Sequence, residues 1–273
     1  MDQQTAADRG ELKLLIASTP KTGNTWVKNL LGTLYRLPIV DLDPDPDPDH
    51  WASLGPRWIA HQHYFPTPYL LAALAALGVT AVTTVRHPGD VLVSLYHYVR
   101  AFADTQSFDD DLRQAMIAPD PSRDPLTVDD SVAGYVRDHF AYLLAISADW
   151  LREGASHRVR YEDLWRDPVA ALGALAEGIW PASNDALERA VDQCDIDVMR
   201  RRPGTDPRFY RRGGVGDWQA ALPPGIIALL VAFVSGAVVM NSAIMELPTE
   251  KDGRFLPFLA GALIYGVILL PLG

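Results

Sequence analysis

The segment STPKTGNTW, residues 18–26, places a lysine, a glycine and a row of hydroxyl and amide side chains between two apolar stretches. Lys21 offers a point charge, Thr22, Asn24 and Thr25 offer polar side chains, and Gly23 permits tight backbone geometry. The first amides of a helix that begins here lack intrahelical acceptors and can donate to an oxyanion. Phosphate binding is one reading of the segment; an ordinary strand–turn–helix with N-capping threonines is the other. It is not a Walker A loop, because Lys21 precedes Gly23 and no Ser or Thr follows a Gly-Lys pair to hold magnesium.

Three further segments carry chemistry. RWIAHQH (57–63) ends in His61 and His63. Either imidazole at a strand end can serve as a general base, or it can be a structural histidine bonded to backbone. Two histidines two apart also raise the question of a metal, but no matching Cys, His or carboxylate cluster is near in sequence. RHPGDVLVSLYHY (86–98) sets Arg86 eight residues before Ser94, so a strand end and the following helix can address one anion. FYRRGGVGDW (209–218) joins Arg211 and Arg212 to Gly213, Gly214 and Gly216, either a cationic loop that closes over phosphate or a solvated basic turn.

The elements that must position these groups follow from patterning. Leu12 and Leu14–Ala17 read as a buried strand, and Trp26, Val27, Leu30, Leu31 and Leu34 line one face of a helix. Trp58–Ala60, Val79–Val85 and the run beginning HRVRY (157–161) add strands, with Pro68 and Pro88 suited to helix first turns. Strand and helix alternate, which predicts an α/β fold with a parallel sheet.

Taken together, these segments resemble the PAPS-dependent sulfotransferase family over residues 12 to about 218. TPKTGNTW is similar to that family's 5′-phosphosulfate loop, commonly Thr-Tyr-Pro-Lys-Ser-Gly-Thr-Thr-Trp. RHPGDVLVSLYHY resembles its 3′-phosphate segment, YEDL (161–164) its short motif after the fourth strand, and FYRRGGVGDW its Arg-Lys-Gly-x-x-Gly-Asp-Trp loop, all in family order. The resemblance implies a P-loop-like parallel sheet flanked by helices and sulfuryl transfer from PAPS to a hydroxyl or amine, without a metal. By it, Lys21, Thr22, Gly23, Asn24 and Thr25 grip the 5′ end and Trp26 packs by the adenine. Arg86 and Ser94 bind the 3′-phosphate, Arg211, Arg212 and Gly213 close from the other side, and Tyr161 approaches the adenine. His63 takes the place of the base in Lys-Thr-His-x-Pro and Lys21 assists the leaving phosphate. His61-Gln62-His63 departs from that motif and leaves His61 as a substitute base. A P-loop kinase and a nucleotide-binding scaffold without turnover are the alternative functions.

Whole-chain properties bound the rest. The chain has 273 residues, a net charge of -10 and one cysteine, Cys194. That balance argues against broad nucleic-acid binding, and a lone cysteine excludes an internal disulfide framework and fits a reducing compartment. No apolar signal run opens the chain. Only five formal charges follow Leu222, all within ELPTEKDGR (246–254). The flanking segments 225–245 and 255–273 are uncharged and approach membrane-spanning length; a buried helical pair is the other reading. The expected organisation is a sulfotransferase domain over 1–222 and a two-helix hydrophobic hairpin over 223–273. The hairpin would anchor a cytoplasmic enzyme to the membrane, with a small-molecule, carbohydrate or lipid acceptor. DLDPDPDPDH (41–50) is expected to be an extended, solvated loop, because alternating prolines disfavour helix and central strand.

Overall fold

The structure is a computed structural model that describes residues 10–117, 126, 130–210 and 213–232. Residues 1–227 form one compact unit and residues 228–273 a second. The apolar segments expected to form a hairpin lie outside the described residues, apart from a helical stretch at 224–232. Among the described residues, no helix is long and apolar enough to cross a membrane.

Four parallel strands in the order β2-β1-β3-β4 form the sheet. They are β1 (Leu12–Ala17), β2 (Arg57–Gln62), β3 (Val79–Val85) and β4 (His157–Arg160). β1 lies inside the sheet and all six of its residues are buried. Its side chains alternate between two cores, as the pleat requires. Leu12, Leu14 and Ile16 pack with helix α1 (Asn24–Tyr35) and with apolar residues of α9 (Pro168–Ile179) and α10 (Asn184–Gln193). Leu15 and Ala17 face Trp51, Trp58, Leu70, Leu74 and Trp150. Cover on both faces is the condition under which parallel sheets are stable.

The other helices before α9 are α2 (Pro48–Ser53), α3 (Pro68–Leu77), α4 (Pro88–Ala101), α5 (Asp110–Met116), α6 (Asp130–Tyr135), α7 (Ala141–Glu153) and α8 (Tyr161–Arg166). A π-helical stretch, Val136–Phe140, joins α6 to α7. After α10 come α11 (Ile196–Arg200) and α12 (Trp218–Ala221). Their starts follow local chemistry: Thr67 Oγ1 accepts from the Leu70 amide at 3.2 Å with Pro68 in the first turn, and Pro88 opens α4.

The Asp-Pro stretch departs from its expected form. Pro48 occupies the first turn of α2 and Asp47 caps it, accepting from the His50 amide at 3.1 Å. A proline at that position loses no intrahelical bond, so the alternation ends in a helix rather than in loop. The loop is also tied down, since Gln62 Nε2 donates to the Leu42 carbonyl at 2.6 Å and Tyr64 Oη donates to the Asp43 carbonyl.

Candidate active site

At the carboxyl ends of β1, β2 and β3 the chain opens into a cleft of about 670 Å³. Lys21, Gly23, Asn24, Thr25, Trp26, His61, His63, Arg86, Ser94, Tyr161 and Gly213 all line it. Carboxyl strand ends are where open α/β sheets place ligands, because helices there begin with unsatisfied amides.

The loop after β1 is held from three directions. The Thr19 amide donates to Ser147 Oγ on α7 at 2.8 Å, and Ser147 Oγ donates to the Thr84 carbonyl on β3 at 3.0 Å. The Thr84 amide donates to Ser18 Oγ at 2.8 Å. Thr22 Oγ1 donates to the Thr19 carbonyl at 2.7 Å, and Asn24 Nδ2 donates to the same carbonyl at 3.1 Å. Thr84 Oγ1 closes the cluster by donating to Asn24 Oδ1. The Thr22 hydroxyl is therefore spent inside the loop, which leaves its backbone amide as the group able to meet a ligand.

Gly23 precedes α1 with φ of 103°, a left-handed conformation, and no side chain caps the helix. Capping threonines thus do not account for the segment. A Cβ on Gly23 would lie 2.6 Å from Tyr161 Cδ2, so glycine is required by both backbone and packing. Trp26 meets Tyr161 edge to face at 5.8 Å. Lys21 also adopts a positive φ, 65°, and its ammonium lies 3.7 Å from the Tyr98 ring centre and 4.9 Å from that of Phe209. Burial, and secondarily the charge of Arg86, lower its pKa from 10.5 to about 8.

Arg86 bridges the two loops expected to meet a nucleotide. One Nη donates to the Lys21 carbonyl at 3.0 Å and the other to the Gly214 carbonyl at 2.9 Å. Its guanidinium stacks 4.2 Å from the Tyr161 ring centre, and its buried Nε has no partner among the described residues. Burial raises the Tyr161 pKa above 10.0, against the opposing charge of Arg86. Gly213 has φ of 65°, and a Cβ there would sit 2.6 Å from Ile196 Cδ1. Arg211 and Arg212 lie outside the described residues.

His63 Nδ1 sits 2.7 Å from the Ser18 carbonyl. A carbonyl only accepts, so Nδ1 carries the proton and Nε2 holds the free lone pair. The residue as a whole is exposed, yet the surrounding walls weaken hydration of the charged form. This burial and the Lys21 charge push its pKa below 6.5, only partly opposed by the Ser18 bond. His61 is held differently: Lys28 Nζ lies 2.9 Å from its Nδ1. Burial first, then Lys28 and His63, lower its pKa to about 3.

Several contributors escaped the sequence reading. Tyr98 follows Ser94 by four residues on α4 and so shares its face, a signal that was available. Asp90, in the first turn of α4, is buried and accepts from the Gly216 amide at 2.8 Å and the Trp218 amide at 3.3 Å. Trp218 also stacks on His87, ring centres 4.5 Å apart, and touches Gly89 closely enough to exclude any Cβ. These contacts fasten the glycine-rich loop to the start of α4. Among the described residues no group of three or more His, Cys, Asp or Glu is placed to hold a metal ion.

A parallel α/β sheet, an uncapped helix start, two cations and an imidazole with a free lone pair in one cleft define a group-transfer enzyme acting on an anionic donor. The chain belongs to the sulfotransferase family, matching its Sulfotransferase domain over residues 37–235. It is 24% identical over 243 residues to Sulfotransferase 1A1 of Bos taurus, covering 76% of this chain and 77% of that one. The fold is similar to that of mouse sulfotransferase SULT7A1 complexed with PAP, with a TM-score of 0.61, 16% identity and coverage of 83% and 84%. It is also similar to retinol dehydratase in complex with androsterone and inactive cofactor PAP, with a TM-score of 0.54, 14% identity and coverage of 82% and 80%.

Proposed function

We propose that this protein transfers a sulfuryl group from PAPS to a hydroxyl or amine of a small-molecule, carbohydrate or lipid acceptor. The observation that carries the reading is the meeting, in a sulfotransferase-family cleft, of the α1 amino terminus, Lys21, Arg86 and a His63 ring with Nε2 unprotonated. PAP in the complexes of the two structural neighbours supports the choice of donor.

The 5′-phosphosulfate lies on the amides of residues 21–25 and against the Lys21 ammonium. The 3′-phosphate is met by Arg86 and by Ser94, with Arg211, Arg212 and Gly213 closing over it. Trp26 and Tyr161 form the adenine wall. His63 Nε2 takes the acceptor proton while the acceptor oxygen or nitrogen attacks sulfur in line. The bond from sulfur to the bridging oxygen breaks, and its electron pair leaves with the phosphate of PAP. Lys21 and the helix amides stabilise that charge. The lowered His63 pKa keeps the ring neutral, and therefore basic, at pH 7.

Nucleotide preference tests this reading against a kinase. Calorimetry without magnesium is expected to give tight PAP binding and much weaker ATP binding. A preference for magnesium–ATP over PAP would overturn it. The uncharged segments 225–245 and 255–273 favour a second, independent proposal, that residues 223–273 anchor the enzyme at the cytoplasmic face of a membrane.

A further inference from the structure

Lys28 lies on α1, one turn beyond the anion loop, and is 8% exposed. No carboxylate approaches it to ion-pair distance among the described residues; Asp41 is the acidic group that faces it from farther away. Its bond at 2.9 Å goes instead to His61 Nδ1. An ammonium has no lone pair to offer, so His61 Nδ1 must accept and the neutral ring carries its proton on Nε2. That nitrogen has no partner among the described residues, and the ring lines the cleft. His63, whose ring centre is 6.0 Å away at 82°, is locked by the Ser18 carbonyl in the opposite tautomer. The two imidazoles thus present unlike faces: a bare Nε2 on His63 and an Nε2–H on His61.

We propose that Lys28 is a positioning residue that fixes His61 as a hydrogen-bond donor, through Nε2–H, to an oxygen of the sulfuryl group in transit beside His63. His61 then exchanges no proton; it stabilises charge on the sulfuryl oxygens while His63 alone receives the acceptor proton. The charged groups around the pair agree with this assignment. Lys28 on α1 and His63 beyond β2 disfavour a cationic His61, and its pKa near 3 keeps it a neutral donor throughout the working range. Asp41 offsets part of the burial cost of the Lys28 cation.

The inference rests on the sulfuryl-transfer reading and is separated from it by the choice of variants. Glutamine can copy the assigned tautomer, with its carbonyl accepting from Lys28 and its NH2 donating into the cleft, but it cannot titrate. His61→Gln is therefore expected to keep kcat within a few-fold of wild type. His61→Leu and Lys28→Met should lose about 10²-fold in kcat, the usual effect of removing one oxyanion donor, with PAP affinity unchanged. Long-range 1H–15N spectra of the PAP complex report the tautomers without turnover: His61 protonated on Nε2 and His63 on Nδ1 at pH 7. Equal loss in His61→Gln and His61→Leu, full activity in His61→Leu, or two rings of the same tautomer would overturn the inference. If Lys28→Met does not fold, the two His61 variants and the spectra still decide it. Protein with the assigned tautomers that binds PAP but transfers nothing would contradict the sulfuryl-transfer reading, and the His61 donor role with it.

Discussion

PAP binding should be coupled to protonation of Lys21. In the free protein this lysine is partly buried, faces Tyr98, Phe209 and Arg86, and has its pKa lowered from 10.5 to about 8. A bound phosphate supplies the counter-charge that the free site lacks, so the complex should return Lys21 towards its ordinary value. Below pH 8 both free and bound protein hold the proton and affinity is level. Above it, the free protein has lost a proton that the complex retains, so binding takes one up and affinity falls. Complete restoration to 10.5 sets a ceiling of about 300-fold weakening, of which about tenfold is reached by pH 9. The ligand does not confuse the measurement, because a phosphate monoester completes its ionisation near pH 6. Tyr161 stays out of the window, since burial holds its pKa above 10.0. Calorimetry of PAP between pH 7 and 9.5, in buffers of different ionisation heat, reads both the affinity and the protons taken up. Lys21→Arg, whose charge is permanent, should flatten the profile. Level affinity to pH 9.5 with no proton uptake in the wild type would refute the reasoning.

Arg86→Ala removes a guanidinium that lines the cleft and ties the Lys21 and Gly214 carbonyls together; PAP affinity should fall about 10- to 100-fold by calorimetry, the scale of one charged hydrogen bond. Ser147→Ala leaves the buried Thr19 amide without its acceptor, and should cost about 1–3 kcal/mol in denaturant unfolding while the sheet stays intact. Carbonate-washed membranes should retain the full-length chain, whereas a chain ending at residue 235, where the family match ends, should stay in the supernatant; full-length protein in the wash would count against the anchor.

The parts of this site that could be read in the sequence are those whose chemistry is contiguous. The β1–α1 loop, the Arg86–Ser94 spacing and the strand-end histidines, which the structure brings to one cleft, each sit within one strand–turn–helix unit, so local patterning carries them. β1 and β3 fall where the apolar runs place them, Leu12–Ala17 and Val79–Val85. What could not be read depends on residues that only the fold brings together. Ser147 lies 128 residues from Thr19, and Asp90 reaches Gly216 across 126. Lys28 has the spacing of an ordinary helix lysine, and nothing in the sequence says that its ammonium turns to His61. Thr22 reads as a ligand hydroxyl, but its side chain finds the Thr19 carbonyl first. The start of α2 within the Asp-Pro run was legible in principle, since Asp47-Pro48 is a cap followed by a first-turn proline; the alternation concealed it.

Transfer of label from 35S-PAPS to organic acceptors of a cell extract, followed by chromatography and mass spectrometry, tests the central claim most directly. The wild type should release PAP and yield a labelled sulfate ester or sulfamate without added magnesium, with activity persisting below pH 6.5 because the His63 base resists protonation. His63→Ala should bind PAP normally and transfer no label. Undiminished transfer by His63→Ala, or PAP-binding wild type that labels no acceptor in any extract, would contradict the account.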